Sequence, residues 1–230
     1  FLVGEEGVRL SLAGAQNKLP VYLEEERIYL PLGEYPSSHI LKPNIPDYED
    51  TVINEAFCMR LAANMGLLVP KVEIRSFDHL QVYIIERFDR EISDQGNLVR
   101  IHQEDFCQAL GVPPDAKYEK EGGPGLAKCF ALIRNYSTQP AADVKKLLAW
   151  VVFNYLIGNA DAHAKNISLL LPEEGPRLAP FYDLMCTAVY PALLGAICRR
   201  YWCKAENGKR HCPGYGGSYC GGCARGERGV

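Results

Sequence analysis

Apolar residues alternate with others at Leu19, Val21 and Leu23, and the pattern restarts at Ile28-Tyr29-Leu30 beyond a charged run at residues 24–27. With Val8 and Leu10 leading in, residues 8–31 are predicted to be paired strands around polar turns. After the break at Pro36-Ser37-Ser38, His39-Ile40-Leu41-Lys42 is a short strand stopped by Pro43. Thr51 is the expected N-cap of a helix from Val52 to Met65, ended by Gly66. Val69–Phe77 and Gln81–Ile85 then read as strands joined at Asp78-His79, and Glu86-Arg87-Phe88-Asp89-Arg90 leaves the sheet.

The period changes afterwards. Glu104–Leu110 reads as a short helix, and the loop 111–125 holds three prolines and four glycines. Leu126–Tyr136 and Asp143–Ile157 are predicted helices. The second is apolar nearly all round and is expected to be fully buried. A hairpin follows, Ile167–Leu171 against Arg177–Phe181, turned at Glu174-Gly175-Pro176. The pattern gives an α+β chain, with a β-rich lobe over residues 1–90 and a helical lobe over 91–197. No internal repeat is visible.

Composition narrows the class. The 230 residues are 47% hydrophobic and 23% charged, close to the globular average. No run reaches the roughly 18 apolar residues of a membrane span. Phe1, followed by Glu5, Glu6 and Arg9, does not start a signal peptide, and the chain is expected to begin inside a longer protein. The net charge of −3 hides an asymmetry: residues 198–230 carry +5 and the rest −8. An acidic body argues against a broad nucleic-acid surface. Cys58, Cys107, Cys129 and Cys186 sit singly in apolar stretches, as reduced cysteines of a cytoplasmic protein do. The tail 198–230 holds the other five cysteines, only Cys220 and Cys223 at tight spacing, and eight glycines. It is expected to be disordered or aberrant, with an altered frame near residue 195; a zinc module is the alternative.

Four features carry chemistry together. In the loop Ser11 to Lys18, the small residues Ala13, Gly14 and Ala15 would let backbone N–H groups approach phosphate; a plain hairpin turn is the other reading. Lys42 lies on an apolar strand and needs an anionic partner or an exposed face. Glu55 on the following helix could hold it, as a strand lysine and a helix glutamate pair in kinases; a surface lysine is the alternative. The third is Gly158-Asn159-Ala160-Asp161-Ala162-His163-Ala164-Lys165-Asn166, where Asp161 could accept a hydroxyl proton and Asn166 hold a metal ion. His163 and Lys165 would neutralise developing charge or buttress the loop. The fourth is Phe181-Tyr182-Asp183, whose carboxylate suits Mg²⁺. Glu86, Arg87 and Phe88 sit where a two-lobed kinase meets the adenine edge, or form an edge-strand salt bridge.

These segments, with Glu104-Asp105-Phe106-Cys107-Gln108, Lys117-Tyr118-Glu119 and Gly122-Gly123-Pro124-Gly125, resemble the HipA family of bacterial serine/threonine kinase toxins over roughly residues 9–190. The resemblance implies a bilobal fold like that of protein kinases and phosphatidylinositol kinases. It makes Ala13, Gly14, Ala15, Gln16, Asn17 and Lys18 the phosphate loop, Lys42 the nucleotide lysine, and Glu86, Arg87 and Phe88 the adenine hinge. Asp161 would be the catalytic base, with His163, Lys165 and Asn166 completing its loop. Tyr182 and Asp183 would complete the ATP and Mg²⁺ site, and Ser11 would be autophosphorylated. The implied substrate is an aminoacyl-tRNA synthetase, often glutamyl-tRNA synthetase, whose inhibition slows growth and favours persistence. The implied partner is a small HipB-like DNA-binding antitoxin. Against the resemblance, the family's N-terminal subdomain is expected to be missing before Phe1, and its helices beyond Asp183 are expected to be replaced by the Cys/Gly-rich tail. An inactive nucleotide- or antitoxin-binding fragment and a small-molecule phosphotransferase are the competing expectations.

Overall fold

The structure is a computed structural model that describes residues 17–33, 35–113, 116–190, 204–206 and 209–211. The first lobe is a five-stranded antiparallel sheet in the order β2-β1-β3-β5-β4. It comprises β1 (Leu19–Glu24), β2 (Arg27–Tyr29), β3 (His39–Pro43), β4 (Val72–Phe77) and β5 (Leu80–Glu86). The predicted alternation is realised here, and Asp78 turns the β4–β5 hairpin at φ 51°. Ile40, Lys42, Tyr83, Ile85, Val72 and Ile74 stand at matching register positions of β3, β5 and β4, and all but Lys42 belong to the core or pack against it. Helix α1 (Thr51–Asn64) covers that face with Val52, Ala56, Met59 and Ala62.

The start of α1 departs from the expectation that Thr51 caps it. Thr51 is already helical and Asp50, in the left-handed region, precedes it without a side-chain cap. The cap comes from Asn44, whose Oδ1 accepts from the Val52 N–H at 2.9 Å and the Thr51 hydroxyl at 3.2 Å. An asparagine seven residues before a helix leaves no local signature.

Hairpin β6 (Arg90–Ile92) and β7 (Leu98–Arg100) links the lobes. The second lobe contains helices α2 (Phe106–Ala109), α3 (Leu126–Tyr136) and α4 (Pro140–Ile157), beside a sheet ordered β10-β9-β8. Its strands are β8 (His102–Asp105), β9 (Ser168–Leu171) and β10 (Arg177–Leu178). The helix expected from Glu104 is therefore shorter. Glu104 and Asp105 pair with Leu169 and Ser168 in the sheet, and Asp105 caps α2 by exchanging hydrogen bonds with Gln108, both 2.9 Å.

Helix α4 corrects a second expectation. It starts at Pro140, a favourable first position, rather than at Asp143. One face is buried through Leu147, Trp150, Phe153 and Asn154, but Leu148, Val152, Tyr155 and Leu156 are exposed, the last at 64%. Uniform apolarity shows that a helix can be covered, not which side this chain covers. A continuous core runs from Met59 and Tyr83 through Phe106, Ile133 and Phe153 to Phe181 and Leu184, so the lobes share one interior. Each fully buried aromatic there contributes about 1.5–3 kcal/mol. Residues 204–206 and 209–211 form a separate antiparallel pair.

Candidate active site

Register places Lys42 on the inner face of β3, and the helical turn places Glu55 opposite it. Lys42 Nζ donates to Glu55 Oε1 at 2.7 Å and also to Asp183 Oδ1. The lysine and glutamate side chains are 4% and 2% exposed, and that of Asp183 is 29% exposed. Burial alone would lower the lysine, but Asp183 and Glu55 outweigh it and hold the ammonium above its ordinary range. Burial would raise Asp183, yet Lys42 and then Lys18 bring it down to about 2. Glu55 is pushed up by burial, against the pull of Lys42. The Lys42 ammonium also lies 5.5 Å from the Tyr83 ring centroid. The surface-lysine alternative is excluded.

Two devices set Asp183 against α1. Its backbone occupies the left-handed region, φ 54°, a conformation uncommon outside glycine that clusters at functional sites. Asn54, next to Glu55, accepts from the Cys186 N–H and donates to the Cys186 carbonyl, both at 2.9 Å. The helix bearing Glu55 and the segment bearing Asp183 are thereby joined across 132 residues.

The polar loop after α4 is fixed from both sides. Gly158 turns out of the helix at φ 69°, and a Cβ there would meet Ala188 Cβ at 2.9 Å. Asn154 accepts from the Asn159 amide at 2.7 Å, and Asn159 Oδ1 accepts from the Asp161 N–H at 3.0 Å. Thr187 Oγ1 accepts from the Ala160 N–H at 2.8 Å. The Asn166 amide donates to the Asp161 carbonyl at 3.1 Å, closing the loop. Asp161 itself is 52% exposed, accepts from the Tyr118 hydroxyl, and lies 3.7 Å from His163 Nε2. Burial holds His163 below its ordinary pKa despite the pull of Asp161, and its Nδ1 is buried with no hydrogen-bond partner among the described residues.

Tyr182 donates to the Lys165 carbonyl at 3.0 Å and shares a 2.7 Å hydrogen bond with Ser168. Its ring stacks on Phe88 with centroids 5.3 Å apart, so the strand-end segment and the Asp183 segment touch. The Arg87 guanidinium is engaged by Asp89 at 2.9 and 2.7 Å rather than by Glu86, and the Arg87 backbone N–H donates to the Ser38 carbonyl at 2.9 Å. The salt bridge weighed for Glu86 and Arg87 thus forms with a different acid, while Glu86 is exposed at the end of β5. Lys18 is half-buried, its pKa lowered by burial and raised in part by Asp183; Asn17 is exposed. Ser11, Ala13, Gly14, Ala15 and Gln16 lie outside the described residues.

Lys18, Lys42, Glu55 and Asp183 thus form one charge cluster, and Asp161, His163, Lys165 and Asn166 one loop. Sequence reasoning missed the supports Asn54, Asn154, Ser168 and Thr187, as well as Tyr118 on Asp161. Among the described residues no group of three His, Cys, Asp or Glu side chains could hold a metal ion alone. Asp183 and Asn166 supply one carboxylate and one carboxamide, a donor set that fits Mg²⁺ completed by phosphate oxygens and water.

Residues 10–212 match the HipA-like C-terminal domain. The chain is 53% identical over 193 residues to Y4mE of Sinorhizobium fredii, which bears the name of a kinase, covering 84% of this chain and 46% of that protein. It is 36% identical over 193 residues to the serine/threonine-protein kinase toxin HipA of Shewanella oneidensis, covering 79% and 44%. The chain thus spans about half the length of these curated relatives. Among solved structures, the Shewanella oneidensis HipA, HipB and operator DNA complex gives a TM-score of 0.67 at 36% identity, over 80% of this chain and 45% of that one. The proinflammatory kinase CtkA of Helicobacter pylori gives 0.55 at 15% identity over 82% and 60%, a likeness of fold. The fold is the two-lobed kinase type, and with most of its length matched in order the chain belongs to the HipA-like C-terminal domain family.

Proposed function

We propose that this chain is the catalytic part of an ATP- and Mg²⁺-dependent serine/threonine protein kinase of the HipA toxin type. The observation that carries the reading is the buried bridge of Lys42 to Glu55 and Asp183, beside the exposed Asp161 carboxylate. A lysine held charged in the interior, with a second cation at Lys18, suits phosphates that arrive carrying negative charge. Residues 1–90 form the nucleotide lobe and residues 91–197 the catalytic lobe.

Asp161, fixed through its N–H by Asn159, orients the acceptor hydroxyl and takes its proton. Lys42 and Lys18 hold the triphosphate, aided by the loop Ala13 to Asn17. His163, neutral in the free protein, and Lys165 meet developing charge at the transferring group. Phe88 and Tyr182 give the adenine an aromatic wall, with Glu86 and Arg87 at its edge. When bound, the Mg²⁺ ion, held by Asp183 and Asn166, neutralises charge on the phosphates. The acceptor we assign is a hydroxyl of an aminoacyl-tRNA synthetase, and Ser11 is the site of self-modification. A HipB-like antitoxin is the regulatory partner, by likeness to the complex containing HipB and operator DNA. We place the reaction in the bacterial cytoplasm, a reducing compartment that suits the free thiols of Cys58, Cys107, Cys129 and Cys186.

The test is transfer from γ-labelled ATP with Mg²⁺ to purified aminoacyl-tRNA synthetases, glutamyl-tRNA synthetase first. A labelled synthetase band that disappears in Asp161→Asn, with ATP binding retained, is the expected result. Undiminished transfer by Asp161→Asn overturns the assignment, and label only in a small metabolite favours a small-molecule phosphotransferase.

A further inference from the structure

The loop between α2 and α3 reaches into the site. The Tyr118 hydroxyl donates to Asp161 Oδ1, joining residues 43 apart in sequence. The Tyr118 ring stands edge-on to the His163 imidazole, with centroids 5.2 Å apart, and the Lys117 ammonium lies 4.8 Å from the Tyr118 ring centroid. The phenol is therefore held at its oxygen and at its ring, with both contacts on the 158–166 loop.

The loop backbone is built to hold it there. The Tyr118 carbonyl accepts from the Glu121 and Gly123 N–H groups, both at 2.9 Å. A Cβ on Gly123 would meet the Ala116 carbonyl oxygen at 2.5 Å and the Tyr118 carbonyl oxygen at 2.8 Å, so only glycine allows this closure.

We propose that Tyr118 occupies the acceptor subsite: its hydroxyl takes the place on Asp161 that an acceptor hydroxyl takes during transfer. The inference rests on the reading of Asp161 as the proton-accepting carboxylate. A phenol O–H and a serine, threonine or water O–H are the same kind of donor to a carboxylate, so an incoming hydroxyl competes with Tyr118 for the lone pair of Asp161 Oδ1 that the phenol fills. An acceptor enters by exchange, and Tyr118 is a positioning residue that discriminates between acceptors able and unable to displace it.

The test uses the full 230-residue chain, with hydrolysis of Mg-ATP measuring access of water as the acceptor. Tyr118→Phe keeps the ring on His163 and removes the hydroxyl. Its kcat for hydrolysis is expected to rise about three- to tenfold, the scale of one net hydrogen bond, with the KM for ATP within about twofold. Tyr118→Ala is expected to raise kcat comparably. Acceleration by alanine alone would assign the effect to the ring, and unchanged or lowered kcat in both variants would overturn the proposal. A second measurement needs no turnover. In chain labelled with 3-fluorotyrosine, the Tyr118 ¹⁹F resonance, identified by its loss in Tyr118→Phe, is expected to shift in Asp161→Asn; an unmoved resonance overturns the proposal. Loss of hydrolysis in Asp161→Asn with no effect of Tyr118→Phe would remove the exchange and keep the kinase reading. Full hydrolysis in Asp161→Asn would remove the kinase reading itself.

Discussion

Replacing Lys42 by methionine tests the central bridge. Methionine is close to lysine in length and apolar, so the change is chiefly the loss of one charge. What remains is Glu55, 2% exposed, facing Asp183, 29% exposed, with no cation between them. Breaking a buried pair by removing one partner costs about 3–5 kcal/mol. The shift of Asp183 from 3.8 to about 2 gives a second scale: at about 1.4 kcal/mol per unit, burial and the cations around it together favour its charged form by a net of about 2 kcal/mol. A loss of about 3 kcal/mol at pH 7 is therefore expected. In the wild type the depressed Asp183 contributes stability that is present above the ordinary carboxylate pKa and is lost as pH falls towards about 2. In the variant, burial without the cation raises both carboxylates, so they favour the folded state at low pH and oppose it as pH rises. The difference between the two proteins should therefore shrink between pH 7 and pH 4.5. Urea unfolding followed by fluorescence, with Trp150 buried in the core, measures it at both values. A loss below about 1 kcal/mol at pH 7, or a difference that grows on acidification, would refute the reasoning.

Three other predictions concern the frame around the site. Asn44→Ala removes the acceptor that starts α1 and should cost about 1 kcal/mol in urea unfolding, with Asn44→Asp restoring most of it. Asp143 is fully buried, and although burial alone would raise it, bonds from the Leu178 N–H at 3.0 Å, Ser137 at 2.6 Å and Lys146 at 2.9 Å lower its pKa. Asp143→Asn should cost about 2–3 kcal/mol at pH 7 and flatten the stability profile below the ordinary carboxylate range, where the wild type loses this contribution. Burial pushes the Cys58 and Cys129 thiols up to about 11, so iodoacetamide at pH 8 should leave both unmodified in folded protein, as mass spectrometry of the peptides would show.

Local signals carried far along this chain, and their failures have a common cause. Alternation located β1, apolar runs between turn residues located β3, β4 and β5, and the bounds of α3 agree with its apolar period. Lys42 and Glu55 were legible as a pair because a cation on an apolar strand requires an anion nearby. The lapses occur where a distant segment decides. Asp105 looks like the first turn of a helix, but Ser168 pairs with it in a sheet. Thr51 looks like a cap, but Asn44 supplies it. Helix α4 looks buried, but its packing leaves Leu156 outside. Tyr118 meets Asp161 only because Gly123 lets a polar loop fold back on itself.

The same contrast explains why the charged groups can work in an interior. A buried lysine between two acids is worth little as a source of stability, since desolvating three charges offsets much of their attraction. Its arrangement instead fixes positions. Asn54 ties α1 to the backbone beside Asp183, Asn159 and Thr187 pin the loop of Asp161, and Ser168 with the Lys165 carbonyl fixes Tyr182. Each is a neutral polar group outside the charge cluster, and the hydrogen bonds of Asn54, Ser168 and Thr187 bridge segments distant in sequence. Substituting such a support should therefore displace a charged group without changing the local charge, and so impair phosphoryl transfer more than nucleotide binding. Positioning is the larger part of phosphoryl transfer, because the transition state asks little covalent chemistry of the protein.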